Sequence, residues 1–450
     1  VDVSVEEAGA AELASPGAGG DWAARRRWAL AWGGRIAEFG FVQGLAQLLA
    51  AVAGLVIVRT LSKEQYAWYA IAFQMQTTCF TLADIGIGLG VSSIGGRVWQ
   101  DRRRFGELVK TGLTMRRWFG TVSLAVCLPA TMWMLHANGA DWLTTILLCV
   151  VLVAGILPLL EFNIYGVVQL LHGEYRRIQL RDLGVAIARV AMVGVLALTH
   201  MSAALAAAVG AIGNWLQLGV TRRWAGDHAD LAAPLNDDDR RELRRLSLVS
   251  FPNVLFYCFQ GQLTLLILTL VGNSTGIADV TALGRLAMLL SVFSVVFAKL
   301  MGPRFTRCQN PRRLRAMYGG MTALALALLA PIVLVAWLWP RPLLWLLGGK
   351  YMDLEAECVW VVAASCVAMF AGVLWGLNSS RAWIRVQAPL FIPTILVAQL
   401  VAAWMLNLRQ FHDLLIFNLV SAAAPLPLYA LDGWLGLRFA AAEKKAAAHA

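Results

Sequence analysis

The sequence predicts an all-α integral membrane protein, with about twelve transmembrane helices in two six-helix lobes around a central cleft and both termini cytoplasmic. Three observations predict it. Hydrophobic residues make up 59% of the 450-residue chain and charged residues only 14%, and the mean hydropathy is +0.65, which is not the composition of a soluble globular protein. Apolar runs long enough to cross a hydrocarbon layer of roughly 30 Å recur from one end of the chain to the other. Lys and Arg crowd into alternate connecting loops, as the positive-inside rule requires of a multi-span protein.

The expected spans are Ile36–Val58, Ala67–Ile94, Trp118–Leu135, Trp142–Leu171, Leu183–Thr199 and Ala203–Val220, then Ser247–Val271, Ile277–Pro303, Tyr318–Trp339, Cys358–Leu377, Val386–Met405 and Leu414–Leu437. A tail and interfacial anchor (1–34), a first lobe (35–223), a cytoplasmic linker (224–246), a second lobe (247–438) and a second tail (439–450) follow from that division. The net charge of +11 is topological and implies no nucleic acid. With a cytoplasmic N-terminus, the outer side holds only Arg59, Lys63, Arg341, Lys350 and Arg409, and most other cations fall on the cytoplasmic side. Arg189, Arg285 and Lys299 lie inside spans.

The first twenty residues are acidic and rich in Ala and Gly, lack the pattern of a cleavable signal peptide, and are expected to form a disordered cytoplasmic tail. Trp22 to Arg35 is basic and Trp-bearing, suited to the membrane interface. The first span then carries Glu38, Gln43 and Gln47 on a loosely common face, either for helix contacts or for lining a pathway. The second ends in LADIGIGLG, where Asp84 precedes glycines that permit a bend. That carboxylate is either a structural hydrogen-bond acceptor or a counter-ion or proton site.

The basic loop Arg97–Arg104 follows, and the fourth span holds Pro158 and Glu161, a kinked polar patch. Arg189 in the fifth span is expected either to pair with Glu161 or Asp84 or to meet substrate. The linker places Asn236 before Asp237, Asp238 and Asp239, a solvated helix start with an N-cap. Arg285 stands about 12 Å into its span, where a permanent charge costs at least ~2.5 kcal/mol unless it faces helices, a counter-ion or water. Lys299 lies about 40° away around the same helix. A spanning helix with one cationic stripe suggests the wall of a cavity that receives an anion.

The halves are weakly alike. Each opens on a helix with amide side chains (Gln43 and Gln47; Asn253, Gln260 and Gln262), passes a short outer turn, and carries an embedded charge before a basic loop. Gly348-Gly349-Lys350-Tyr351 is an outer turn and not a phosphate loop, because no Walker pattern surrounds it. The seven cysteines form no C-x-x-C pair and the six histidines are scattered at loops and span ends, so no cofactor or metal is expected. The outer loops are short and lack acidic or His clusters, which argues against a membrane glycosyltransferase and against an enzyme generally.

The run VRTLSKEQYAWYAIAFQMQTTCFTLADIGIGLG resembles the start of bacterial polysaccharide flippases, at Arg59, Leu61, Tyr66, Tyr69, Leu82, Asp84, Gly86 and Gly88. GIADVTALGRLAMLL, MGPRFTR and LLGGKYMDLEA are similar to later segments of that family. The resemblance, from about Arg35 to Leu437, implies the multidrug/oligosaccharidyl-lipid/polysaccharide (MOP) exporter superfamily, most like the O-antigen and exopolysaccharide repeat-unit flippases. It implies translocation of undecaprenyl-pyrophosphate-linked oligosaccharide across a bacterial inner membrane, with membrane lipids, a polysaccharide polymerase and a chain-length regulator as partners. On this reading Arg285, Arg189 and Lys299 neutralise the pyrophosphate. Asp84 and Glu161 hold the arginines or couple a cation, and Gln43, Gln47 and Gln260 line the cleft. The alternative is a cation-coupled multidrug or small-solute exporter of the same superfamily or of the major-facilitator class.

Overall fold

The computed structural model of the chain describes residues 22–271, 275–286, 305, 311–381, 383 and 386–449. Among them, all regular structure is helical. Helix α1 runs Trp22–Thr60, so the interfacial approach and the first span are one continuous helix. Ser62, in an extended conformation, caps α2 (Lys63–Asp84) by accepting the Gln65 N–H.

The second expected span is not one helix. It breaks at Ile85 and Gly86, both left-handed (φ 32° and 76°), before α3 (Ile87–Val98) begins. Asp84 Oδ1 accepts the Gly88 N–H at 3.1 Å, supplying the acceptor that the interrupted helix lacks. Gly86 tolerates the positive φ, and a Cβ on Gly88 would stand only 3.1 Å from the Asp84 carboxylate.

Asp101 accepts the N–H groups of Arg103 and Arg104 and starts α4 (Arg102–Ala137). This helix begins well before the apolar run read from the sequence, so Arg116 and Arg117, expected in a solvated loop, lie inside it. Asp141 caps α5 (Trp142–Leu171), which is continuous through Pro158. Helices α6 (Tyr175–Leu198) and α7 (Ala203–His228, capped by Ser202) follow.

Asn236 Oδ1 accepts from the N–H of Asp238 and Asp239, so the linker helix and the seventh span form one helix, α8 (Asp237–Val271). The three aspartates are not simply a solvated helix start: Asp239 is 2% exposed, and both its oxygens take hydrogen bonds from Arg104. Residues 275–286 form α9. Then come α10 (Pro311–Leu338), α11 (Pro340–Leu347), a 3-10 turn (Gly349–Tyr351), α12 (Glu355–Ser380), α13 (Gln387–Met405), α14 (Phe411–Ala423) and α15 (Leu426–His449).

Seven helical stretches among the described residues are long and apolar enough to cross a membrane, with Val254–Leu270 and Pro389–Met405 as shorter apolar helices. Of the expected span Ile277–Pro303, the residues after Leu286, Lys299 included, lie outside the described residues. By their contacts α1–α7 form one group and α10–α15 another; α8 packs against α2, α3 and α4 and reaches the second group where Thr264 donates to Asn418 and Phe256 meets Phe391, and α11 touches α1. Large apolar side chains such as Leu143, Val195, Leu198, Trp337, Leu400 and Trp404 stay exposed along the spans, the surface a lipid-facing bundle presents. Two of the histidines read as scattered meet: His172 and His228 stack with ring centroids 4.1 Å apart.

Candidate functional site

A cavity of about 660 Å³ opens among α1, α2, α5, α6 and α7, with one side chain, Arg285, contributed by α9. The sequence places a central cleft between two six-helix lobes; among the described residues the lining of this cavity is almost wholly from the first group of helices. Its apolar wall includes Ile57, Leu148, Leu152, Phe162 and Val193, and its polar groups are Gln47, Gln76, Thr77, Asn214 and Gln217. The lining contains the guanidinium groups of Arg189 and Arg285 and no Asp or Glu.

Arg285 is 9% exposed. Its Nε–H donates to the Tyr66 hydroxyl at 3.2 Å, and its guanidinium lies over the rings of Tyr69 and Phe73, 5.8 Å and 5.3 Å from their centroids. It packs on α1 at Gly54, where an added Cβ would make only ordinary van der Waals contact, 3.5 Å from Nη1. Tyr66, Tyr69 and Phe73 recur at helical spacing, so one face of α2 forms this aromatic cradle.

Arg189 is held by neutral oxygens. Its Nη2 donates to Asn214 Oδ1 at 2.9 Å and to the Gly210 carbonyl at 3.4 Å, and Asn214 in turn donates to the Gly155 carbonyl at 3.0 Å. Arg189 Nε is buried without a hydrogen-bond partner among the described residues. Gly213 makes the room, since a Cβ there would meet Nε at 2.2 Å.

The carboxylates assigned as partners of these arginines sit elsewhere. Asp84 is ion-paired to Arg116, whose Nη1 also donates to the Leu160 carbonyl and whose guanidinium covers Phe80. Glu161 takes two hydrogen bonds from Arg117, at 2.6 Å and 2.9 Å. The reason is register: α4 starts a full four turns before the apolar run, which carries Arg116 and Arg117 to the level of Asp84 and Glu161. Asp182 likewise pairs with its neighbour Arg181, not with Arg189.

Of the three amides proposed to line the cleft, Gln47 does so; Gln43 and Gln260 are half-buried outside the lining. Gln262 instead ties α8 to α2, donating to the Gln74 carbonyl and the Thr78 hydroxyl. Gln76, Asn214 and Gln217 were passed over in the sequence, although each is a polar residue inside an apolar run.

At the end of the molecule that carries Arg59, Lys63 and Lys350, contacts join distant parts of the chain. Arg59 Nε–H donates to the Leu346 carbonyl at 2.9 Å and its Nη2 to that of Trp345. Lys350 Nζ donates to the Leu61 carbonyl, and burial together with neighbouring Lys63 holds the Lys350 ammonium below the usual lysine range. Lys63 Nζ lies 3.1 Å from Asp279 and 3.7 Å from Asp353.

The described residues thus form a helical bundle with a cavity lined by two arginines. The chain is similar to an inward-facing multidrug resistance MATE family transporter of the MOP superfamily, at TM-score 0.67 and 18% identity, over 89% of this chain and 96% of that one. It is also similar to a MOP superfamily transporter from Pyrococcus furiosus, for which a reversed polarity of the binding pocket suggests a different function (TM-score 0.59, 15% identity, 91% and 95% covered). A third is the eukaryotic MATE transporter AtDTX14 (TM-score 0.56, 12% identity, 89% and 99% covered). The chain therefore shares the fold of these transporters. No family model matches the sequence, and no curated protein does.

Proposed function

We propose that this chain is an exporter of the MOP type that carries an anionic, amphipathic small molecule through the cavity, with Arg189 and Arg285 as the groups that meet its negative charge. The observation that carries the reading is the lining: two arginines, neutral amides and aromatic rings, with no carboxylate among the described residues. A cationic drug would meet two arginines and no carboxylate among the described lining residues, whereas an anion gains charge-assisted hydrogen bonds in a low-dielectric site. Arginine also keeps its charge at every physiological pH, so the cavity's polarity is fixed.

The cavity volume of about 660 Å³ is that of a site for a drug-sized ligand. Together with the multidrug transporters among the solved structures of this fold, it favours a small-solute exporter over the flippase of lipid-linked oligosaccharide. The flippase reading draws support from the same two arginines, which suit a pyrophosphate. The two separate experimentally. In proteoliposomes, an anionic xanthene dye should be transported and a cationic rhodamine should not, with dye transport lost in Arg285→Ala. Transport of the cationic dye alone would overturn the proposal. Scrambling of a short-chain prenyl pyrophosphate with no dye transport would return the flippase.

A further inference from the structure

Helix α9 meets α2 at two levels. At its start, Asp279 is 7% exposed and faces Lys63, the first residue of α2, at 3.1 Å. About 9 Å further along the axis at 1.5 Å per residue, Arg285 sits on Tyr66, Tyr69 and Phe73 of the same α2 face. Thus residues 275–286 of α9 hold both an ion pair of the outer seal and a cationic group of the cavity. The remaining seal contacts, Arg59 and Lys350 on backbone carbonyls and Lys63 on Asp353, lie at the outer level only.

We infer that α9 is a two-point latch through which cavity occupancy opens the outer seal. With the cavity empty, the Lys63–Asp279 pair and the Arg285–aromatic cradle reinforce each other, because both are made by rigid helices in one register. An anion in the cavity competes for the Arg285 guanidinium. It offers charged oxygens in place of a phenol oxygen and ring faces, so the lower point of the latch is released. Of the two polar points that join α9 to α2, only the outer ion pair then remains beside the apolar packing of Ile277, Ala282 and Leu283, and the outward-open arrangement costs less. A ligand shifts a conformational equilibrium only through such differential contacts, and here they lie on the same helix as the seal. The trigger rests on the anion reading of the cavity; the latch itself does not.

The test reads outer accessibility in intact cells, using a membrane-impermeant maleimide against Ile57→Cys, a cavity-lining position, with the parent protein as the blank for native cysteines. Lys63→Asp alone and Asp279→Lys alone should each raise the labelling rate at least fivefold. The double exchange, made in an Asp353→Asn background so that position 63 meets no second carboxylate, should return it towards that background. Tyr69→Ala with Phe73→Ala should raise labelling without any ligand and blunt the further rise caused by the anionic xanthene dye. Monodispersity of each variant in detergent separates opening from misfolding. Single variants that stay monodisperse and label like the parent would overturn the latch, as would a charge exchange that restores nothing. If the charge series behaves as expected but the dye neither binds nor changes labelling, the latch stands and the anion reading falls.

Discussion

Arg116 and Arg285 are both arginines buried among membrane-spanning helices, at 2% and 9% exposure, yet they are held by opposite kinds of partner. Arg116 is answered by a full carboxylate, Asp84, which also caps α3 across the chain break at Gly86. Arg285 rests on a phenol and two aromatic faces, and Arg189 on an amide and a carbonyl. A cation paired with a buried carboxylate is neutralised in place, and its removal leaves the partner stranded. A cation held by dipoles and ring quadrupoles keeps its field, which a mobile anion can still satisfy. Embedded charge alone therefore does not mark a transport site; the charge type of its partner distinguishes the two.

The sharpest way to break this comparison is at Arg116. Arg116→Ala should clearly destabilise the protein, because it removes a buried guanidinium packed over Phe80 and leaves the part-exposed Asp84 without its cation, seen as a large drop in Tm in detergent and poor membrane yield. Asp84→Asn should do much the same and also loosen the α2–α3 break. Arg285→Ala should differ in kind. It should weaken binding of an anionic dye by about 1.5–3 kcal/mol, the range for a hydrogen bond to a charged group, roughly tenfold or more by fluorescence titration, while the Tm moves little. An Arg285→Ala protein that unfolds as readily as Arg116→Ala would erase the distinction.

The distinction was half legible in the sequence. Arg189 and Arg285 stand out in apolar runs because a permanent charge there demands an explanation, and both line the cavity. The bend after Asp84 was legible in its glycines. Their partners were not. Apolar periodicity locates where a span is greasy, not where its helix begins, so Arg116 and Arg117 read as loop cations just ahead of Trp118. Only the cap at Asp101 reveals that α4 carries them into the bundle. Likewise, which glycine admits an arginine (Gly213) depends on helix pairs brought together in the fold, which no local pattern encodes.

Gly213 tests the finer claim that Arg189 is positioned and not merely present. A Cβ at that site would collide with the guanidinium at 2.2–2.9 Å, and the side chain, being long and flexible, would swing away from Asn214. Gly213→Ala should leave the fold intact and lower anion affinity by about three- to tenfold, roughly the worth of one hydrogen bond. Asn214→Ala should match it, and the two together should add little, because both act through the same guanidinium.

The smallest effect is expected at Glu161. Its partner Arg117 has a side chain 60% exposed, so solvent screens the pair and its worth is about 0–1 kcal/mol. Glu161→Gln keeps the shape and one acceptor for Arg117, and should shift Tm by no more than a degree or two. Since Glu161 is not among the cavity-lining residues, anion affinity should be unchanged as well. A strong loss of transport in Glu161→Gln, with stability and dye binding intact, would reassign this carboxylate from a peripheral ion pair to a coupling group. It would also show that a carboxylate already holding an arginine can still exchange its partner during the cycle, which the contrast between Arg116 and Arg285 denies.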